Sequence, residues 1–127
     1  MKIEHAAWTV ADPVAAADWY VAHLGMAIVR SGGPPAHARF LADDTGRVLL
    51  EIYNNPAVTV PDYAATDPLI IHLAFVVDDV AGERDRLVAA GAAVVDALNR
   101  TDAGDEMAML RDPWGFPIQL MKRAEPM

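Results

Sequence analysis

The chain has 127 residues, 54% of them apolar and 22% charged, a balance that fits one globular domain with a sizeable core and leaves no room for two ordinary ones. Its formal charge of −8 repels a phosphate backbone and an anionic bilayer alike, so neither nucleic acid nor a membrane is an expected partner. With no cysteine there are no disulfides, thiolate metal sites or cysteine nucleophiles; this fits a reducing cytoplasm and leaves nitrogen and oxygen to hold any metal.

The opening KIEHAAWTV alternates as a strand does, with no leader-like cleavage site or long apolar segment. His5 shares a face with Ile3, Ala7 and Thr9, while Trp8 and Val10 point the other way, under a helix. That helix is expected from Pro13 to Leu24. Asp12 can accept from the free amides of its first turn, Pro13 stands where proline is best tolerated, and Gly25 stops it. Two strand-like runs lead to DDTGRVLLEIY, where Glu51 lies on the face of Leu49 and Tyr53. A carboxylate there is costly unless it is paired, protonated or bound to a cation. Residues 54–67, NNPAVTVPDYAATD, form a proline-bearing linker. In LIIHLAFVV every neighbour of His72 is apolar, so this strand is expected to be covered on both faces, with its imidazole partnered inside. Asp79 starts a second helix, expected from Val80 to Ala90 with Gly91 beyond it. The last strand, in RDPWGFPIQLM, sets Gln119 between Ile118 and Leu120.

These elements repeat. A shift of 67 residues lays His5 on His72, Trp8 on Phe75, Asp12 on Asp79 and Asp18 on Asp85; a shift of 68 near the ends lays Asp44 on Asp112 and Glu51 on Gln119. The organisation is β-α-β-β-β twice, an α+β architecture with one module over about 1–53 and the other over about 68–123. Neither module closes a core alone. Pairing them about a pseudo-twofold axis would bury both sheets and gather equivalent positions at the axis. His5, Glu51, His72 and Gln119, each a lone polar residue on an apolar strand, occupy two such pairs. Two imidazoles, a carboxylate and an amide oxygen suit a divalent metal with water completing its coordination.

The stretches HAAWTVADPVAAADWYVAHLGM, LLEIYNN, IHLAFVVDDV and LRDPWGFPIQL together resemble the vicinal oxygen chelate superfamily, which includes glyoxalase I, methylmalonyl-CoA epimerase, extradiol dioxygenases and bleomycin-binding proteins. The resemblance implies a cupped mixed sheet with helices outside and a homodimer, its sites lying within one chain or shared between swapped chains. It also implies one divalent ion (Ni, Zn, Co, Mn or Fe) on His5, Glu51, His72 and Gln119. The implied activity is that of a metal-dependent lyase, isomerase or epimerase, acting on a small oxygenated substrate through a metal-chelated enediolate, with Glu51 as base. Trp8, Thr9, Tyr53, Asn55 and Met121 would line the substrate. At the fourth ligand position glyoxalases, extradiol dioxygenases and fosfomycin enzymes carry a carboxylate; here it is Gln119. The epimerase pattern His, Gln, His, Glu appears with Glu and Gln exchanged between modules. Asn55 matches a glutathione-contacting asparagine, but Thr9 and Pro68 stand where basic residues are expected. The alternative is a metal-free binding protein of the bleomycin-resistance type, for which the negative charge and Trp8, Trp19, Trp114 and Tyr53 would suit a planar or cationic compound.

Overall fold

Both helices start on the aspartates singled out above. In the computed structural model Asp12 Oδ1 accepts the Ala15 amide at 3.0 Å and Asp79 Oδ1 accepts the Gly82 amide at 3.0 Å, each quenching a donor that the first helical turn leaves unpaired. The helices run over Pro13–Leu24 (α1) and Val80–Ala89 (α2). Gly25, at φ 67°, adopts the left-handed conformation that ends α1. The structure describes the backbone of residues 1–127 and the side chains of all but Val48 and Leu49. The expected place of Leu49 beside Glu51 thus lies outside the described residues.

The chain divides into two units, Met1–Pro61 and Asp62–Met127. The first holds β1 (Ala6–Thr9), α1, β2 (Ala27–Ser31), β3 (Arg39–Ala42) and β4 (Val48–Tyr53); its sheet has the order β1-β4-β3-β2. The second holds a 3-10 turn (Tyr63–Ala65), β5 (Leu73–Val76), α2, β6 (Ala93–Arg100), β7 (Glu106–Arg111) and β8 (Pro117–Lys122), in the order β5-β8-β7-β6. In each sheet the first strand pairs parallel to the last and the remaining pairs are antiparallel. The registers also agree: Ala7 lies beside Glu51, and Ala74 beside Gln119. The β-α-β-β-β repeat is therefore real down to the residue, and the fold is the expected tandem α+β one.

In each unit the helix covers one sheet face. Trp8 and Val10 are buried there with Ala16, Ala17 and Ile52, and the Trp8 ring lies 6.0 Å from Tyr20. In the second unit Val80, Leu87, Phe116, Ile118 and Leu120 are buried together. Each large side chain removed from water in this way contributes about 1.5–3 kcal/mol.

A turn closes the β7–β8 hairpin. Buried Asp112 accepts the amides of Trp114 and Phe116 at 2.9 and 2.8 Å, and Gly115 lies at φ 86° with no room for a side chain: a Cβ there would stand 2.8 Å from the Ala64 nitrogen. Arg111 donates to the carbonyls of Tyr63, Thr66 and Gly115 at 2.6, 2.7 and 3.0 Å, fastening the 3-10 turn to the hairpin, where the Tyr63 and Phe116 rings meet at 5.1 Å. The last part of the 54–67 segment is thus built into the second unit.

One expectation is overturned. The strand after His72 is not covered on both faces. β5 has a sheet neighbour only in β8, and its exposure alternates: Leu73 and Phe75 are half-buried, while Ala74 and Val76 are exposed, Val76 at 78%. The apolar run reflects an edge strand with its second face open. Leu69 and Ile70, just before it, are also exposed.

Candidate functional site

Register fixes which side chains share the face opposite each helix, because directly paired residues project to the same side. In the first unit Glu51 pairs with Ala7 on β1 and with Phe40 on β3, and Tyr53 pairs with Thr9. His5 stands just before β1, two residues from Ala7. Its Nε2 lies 3.2 Å from Glu51 Oε2, and its ring meets the Phe40 ring edge-on at 5.5 Å. Two donors about 2.0–2.1 Å from a common ion stand about 2.9 Å apart at a right angle and about 3.4 Å apart at the tetrahedral angle. A separation of 3.2 Å falls within that interval, and it is equally the length of a hydrogen bond from a protonated imidazole. Glu4 contacts the other ring nitrogen, Nδ1.

In the second unit Gln119 pairs with Ala74 on β5 and with Met109 on β7, and Met121 pairs with Val76 and Met107. The Gln119 amide donates from Nε2 to the Met107 sulfur at 3.9 Å, a weak bond that leaves Oε1 for a stronger partner. His72 holds Pro68 O at 3.0 Å through Nδ1, so in the neutral ring Nδ1 carries the proton and Nε2 the lone pair. Such a carbonyl partner behind a histidine is the usual companion of a metal-ligating imidazole.

The four residues thus occupy matching positions in the two units, and each retains a nitrogen or oxygen donor of the right kind. His5 and Glu51 come together directly. Among the described residues no three His, Cys, Asp or Glu side chains gather as one metal group.

The residues expected to line the substrate fall in different places. Tyr53 is half-buried on the Glu51 face, and Thr9, on the same face, is buried. Met121, on the Gln119 face, is also buried. Trp8 faces α1 and lies on the core side of its sheet. Asn55 spends its side-chain oxygen on the Ala57 amide at 2.9 Å, closing a local turn. Of the remaining histidines, the His23 ring meets that of Trp19 at 5.2 Å, tilted by 51°, and His37 lines a shallow cleft of about 260 Å³ with Asp12, Pro13, Pro35 and Asn54. Sequence reasoning missed Glu4, Phe40, Pro68 and Met107. Phe40 and Met109 face Glu51 and Gln119 from the equivalent strand, but the unequal loops before them hide that correspondence in the sequence.

A family model described as the Glyoxalase/Bleomycin resistance protein/Dioxygenase superfamily matches residues 2–120. The chain belongs to this superfamily. Among solved structures, a protein described as SMU.1112c is 28% identical, with 95% of this chain and 98% of that one covered and a TM-score of 0.72. Glyoxalase I from Zea mays is 22% identical with a TM-score of 0.76; the match covers 98% of this chain but 45% of the maize chain. TioX from Micromonospora sp. ML1 is 21% identical over 99% of both chains, with a TM-score of 0.65. At these identities the last two matches show the fold alone. No curated protein matches the sequence at a significant level. No helix among the described residues is long and apolar enough to cross a membrane.

Proposed function

We propose that this superfamily member is a metal-dependent lyase, isomerase or epimerase of the glyoxalase-like type, acting on a small substrate with neighbouring oxygens. His5, Glu51, His72 and Gln119 would hold one divalent ion per site (nickel, zinc, cobalt, manganese or iron) in a homodimer, the site lying within a chain or shared between two. The observation that carries the reading is the 3.2 Å convergence of His5 Nε2 and Glu51 Oε2, at positions whose partners in the other unit are His72 and Gln119.

The bound ion would polarise a substrate carbonyl and make the adjacent C–H more acidic. The chain's own residues account for the rest. Gln119 can offer its carbonyl oxygen but cannot take a proton, which leaves Glu51 or a metal-bound hydroxide as base; Glu51 is the residue of this chain that would remove the proton beside the carbonyl and return it to the neighbouring or the same carbon. Gln119 also leaves the donor set one negative charge short of a His, Glu, His, Glu set, which favours substrates that bring their own negative oxygen to the ion. His72, with Nδ1 tied to Pro68, and His5, with Phe40 against its ring, are held in fixed orientations.

Elemental analysis of protein prepared without chelator tests the reading. It should find about one divalent ion per site, and protein that is metal-free and also refuses added nickel, zinc and manganese would overturn it. A screen of 2-oxoaldehyde hemithioacetals, acyl-CoA epimers and catechols then sorts the reaction.

The metal-free binding protein is favoured by the same pair seen differently. A protonated His5 and an ionised Glu51 satisfy each other without an ion.

A further inference from the structure

We propose that Glu4 is a positioning residue for the metal site, fixing the His5 tautomer through the hydrogen bond on Nδ1; the inference rests on the metal-dependent reading above. An imidazole binds a cation through one nitrogen only when the other carries its proton, and a partner on that second nitrogen selects the tautomer and raises the ring's basicity. For His72 that partner is the Pro68 carbonyl. For His5 it is the Glu4 carboxylate, on Nδ1. With Nδ1–H turned to Glu4, the His5 Nε2 lone pair faces Glu51 Oε2 across 3.2 Å. Two electron-rich atoms at that separation repel unless a proton or a metal ion lies between them, and in the metal-bound state the Glu4 contact is what leaves the Nε2 lone pair free for the ion.

The two units differ in charge. The second unit contributes a neutral amide and ties its histidine to a neutral carbonyl, whereas the first contributes a carboxylate and ties its histidine to another. A divalent ion on His5, Glu51, His72 and Gln119 would keep one unit of positive charge, and Glu4 stands one hydrogen bond beyond that donor set. The Glu4 side chain is 72% exposed, so water screens its bare charge and its influence passes mainly through the hydrogen bond.

Zinc and nickel titration of purified wild-type protein, Glu4→Ala, Glu4→Gln, His5→Ala and a distant control, Glu125→Ala, tests this by calorimetry. Loss of an outer-shell partner weakens metal binding by about 10–100-fold, and the exposure of Glu4 points to the lower end. Glu4→Ala should therefore bind about tenfold more weakly, and Glu4→Gln, which keeps an acceptor, should lie between it and wild type. Glu125→Ala should match wild type. In zinc-loaded wild-type protein the His5 Nδ1 proton should give a slowly exchanging resonance that vanishes in Glu4→Ala, a signature that a merely structural role would not move. If Glu4→Ala binds within twofold of wild type while His5→Ala loses binding, the role of Glu4 is refuted and the metal site stands. If wild type takes up no metal, the site itself is refuted and the role of Glu4 with it.

Discussion

Replacing Arg111 by Met should release the 3-10 turn from the β7–β8 hairpin and destabilise the second unit substantially. The guanidinium donates to the Tyr63, Thr66 and Gly115 carbonyls at 2.6, 2.7 and 3.0 Å, and Met keeps most of the stem while removing all three donors. A hydrogen bond involving a charged group contributes about 1.5–3 kcal/mol, but these three share one half-buried donor group and do not add fully, so the expected loss is about 3–4 kcal/mol. At about 2.1 cal/mol/K of unfolding entropy per residue, a chain of this size loses roughly 3–4 °C in Tm per kcal/mol, which gives a drop of about 10–15 °C. Thermal unfolding followed by circular dichroism measures it, and limited proteolysis should show new cutting between residues 56 and 67. Pro68 stands four positions before His72, whose Nδ1 it holds, and three after the turn, so a freed turn should also loosen that imidazole. A Tm change under about 3 °C with unchanged proteolysis would refute the anchoring role.

Gly115→Ala should cost about 1–2 kcal/mol from the positive φ alone and more from the 2.8 Å approach to the Ala64 nitrogen; a stability equal to wild type in urea titration would count against the tight packing of hairpin on turn. Gln119→Glu should add a proton acceptor at the fourth position and bring hemithioacetal isomerisation to a protein that binds metal without that activity, whereas Glu51→Gln should abolish any native proton-transfer activity; activity that survives Glu51→Gln removes Glu51 as base. Asp105 is held below the ordinary carboxylate range, chiefly by the Ala124 amide at 2.9 Å, with Arg123 assisting against the opposing effect of burial. Because the folded state favours the ionised form, the tether it provides is complete above the ordinary carboxylate range and is lost as the pH falls through the lowered value. Acid titration should therefore release the Ala124 amide, read by hydrogen exchange, and an amide indifferent to acid would contradict the tether.

The parts of the fold that were legible in the sequence are those set by local chemistry. Asp12 and Asp79 caps, Pro13, and the glycines beyond the helices mark helix ends through interactions spanning three or four residues, and the observed α1 has the expected bounds. The repeat was legible because matching strands need matching residues on both faces, and a pattern of period two cannot slip by one without exposing the core. What the sequence hid depends on the context of a strand rather than its composition. LIIHLAFVV has the apolar run of a central strand, yet β5 lies at an edge, and the exposed Val76 shows that hydrophobicity alone does not say which faces are covered.

The same distinction governs the site. His5, Glu51, His72 and Gln119 stood out because a polar residue on an apolar strand is costly, and that cost is visible in one dimension. Their companions carry no such mark. Glu4 reads as an ordinary exposed acid, Met107 as one more apolar strand residue, and Pro68 acts through a carbonyl that every residue has. Each becomes informative only when a contact ties it to one of the four: the sulfur to the Gln119 amide, the carbonyl to the His72 Nδ1, the carboxylate to the His5 Nδ1. These companions bear on both readings of the chain. A pocket that only sequesters a compound would use the same Nε2 atoms as hydrogen-bond partners, and there too the group on Nδ1 decides whether Nε2 accepts or donates. If the chain holds a metal as proposed, both Nε2 atoms must be deprotonated together, and Glu4 and Pro68 would then share one task, each holding the Nδ1 proton of its histidine.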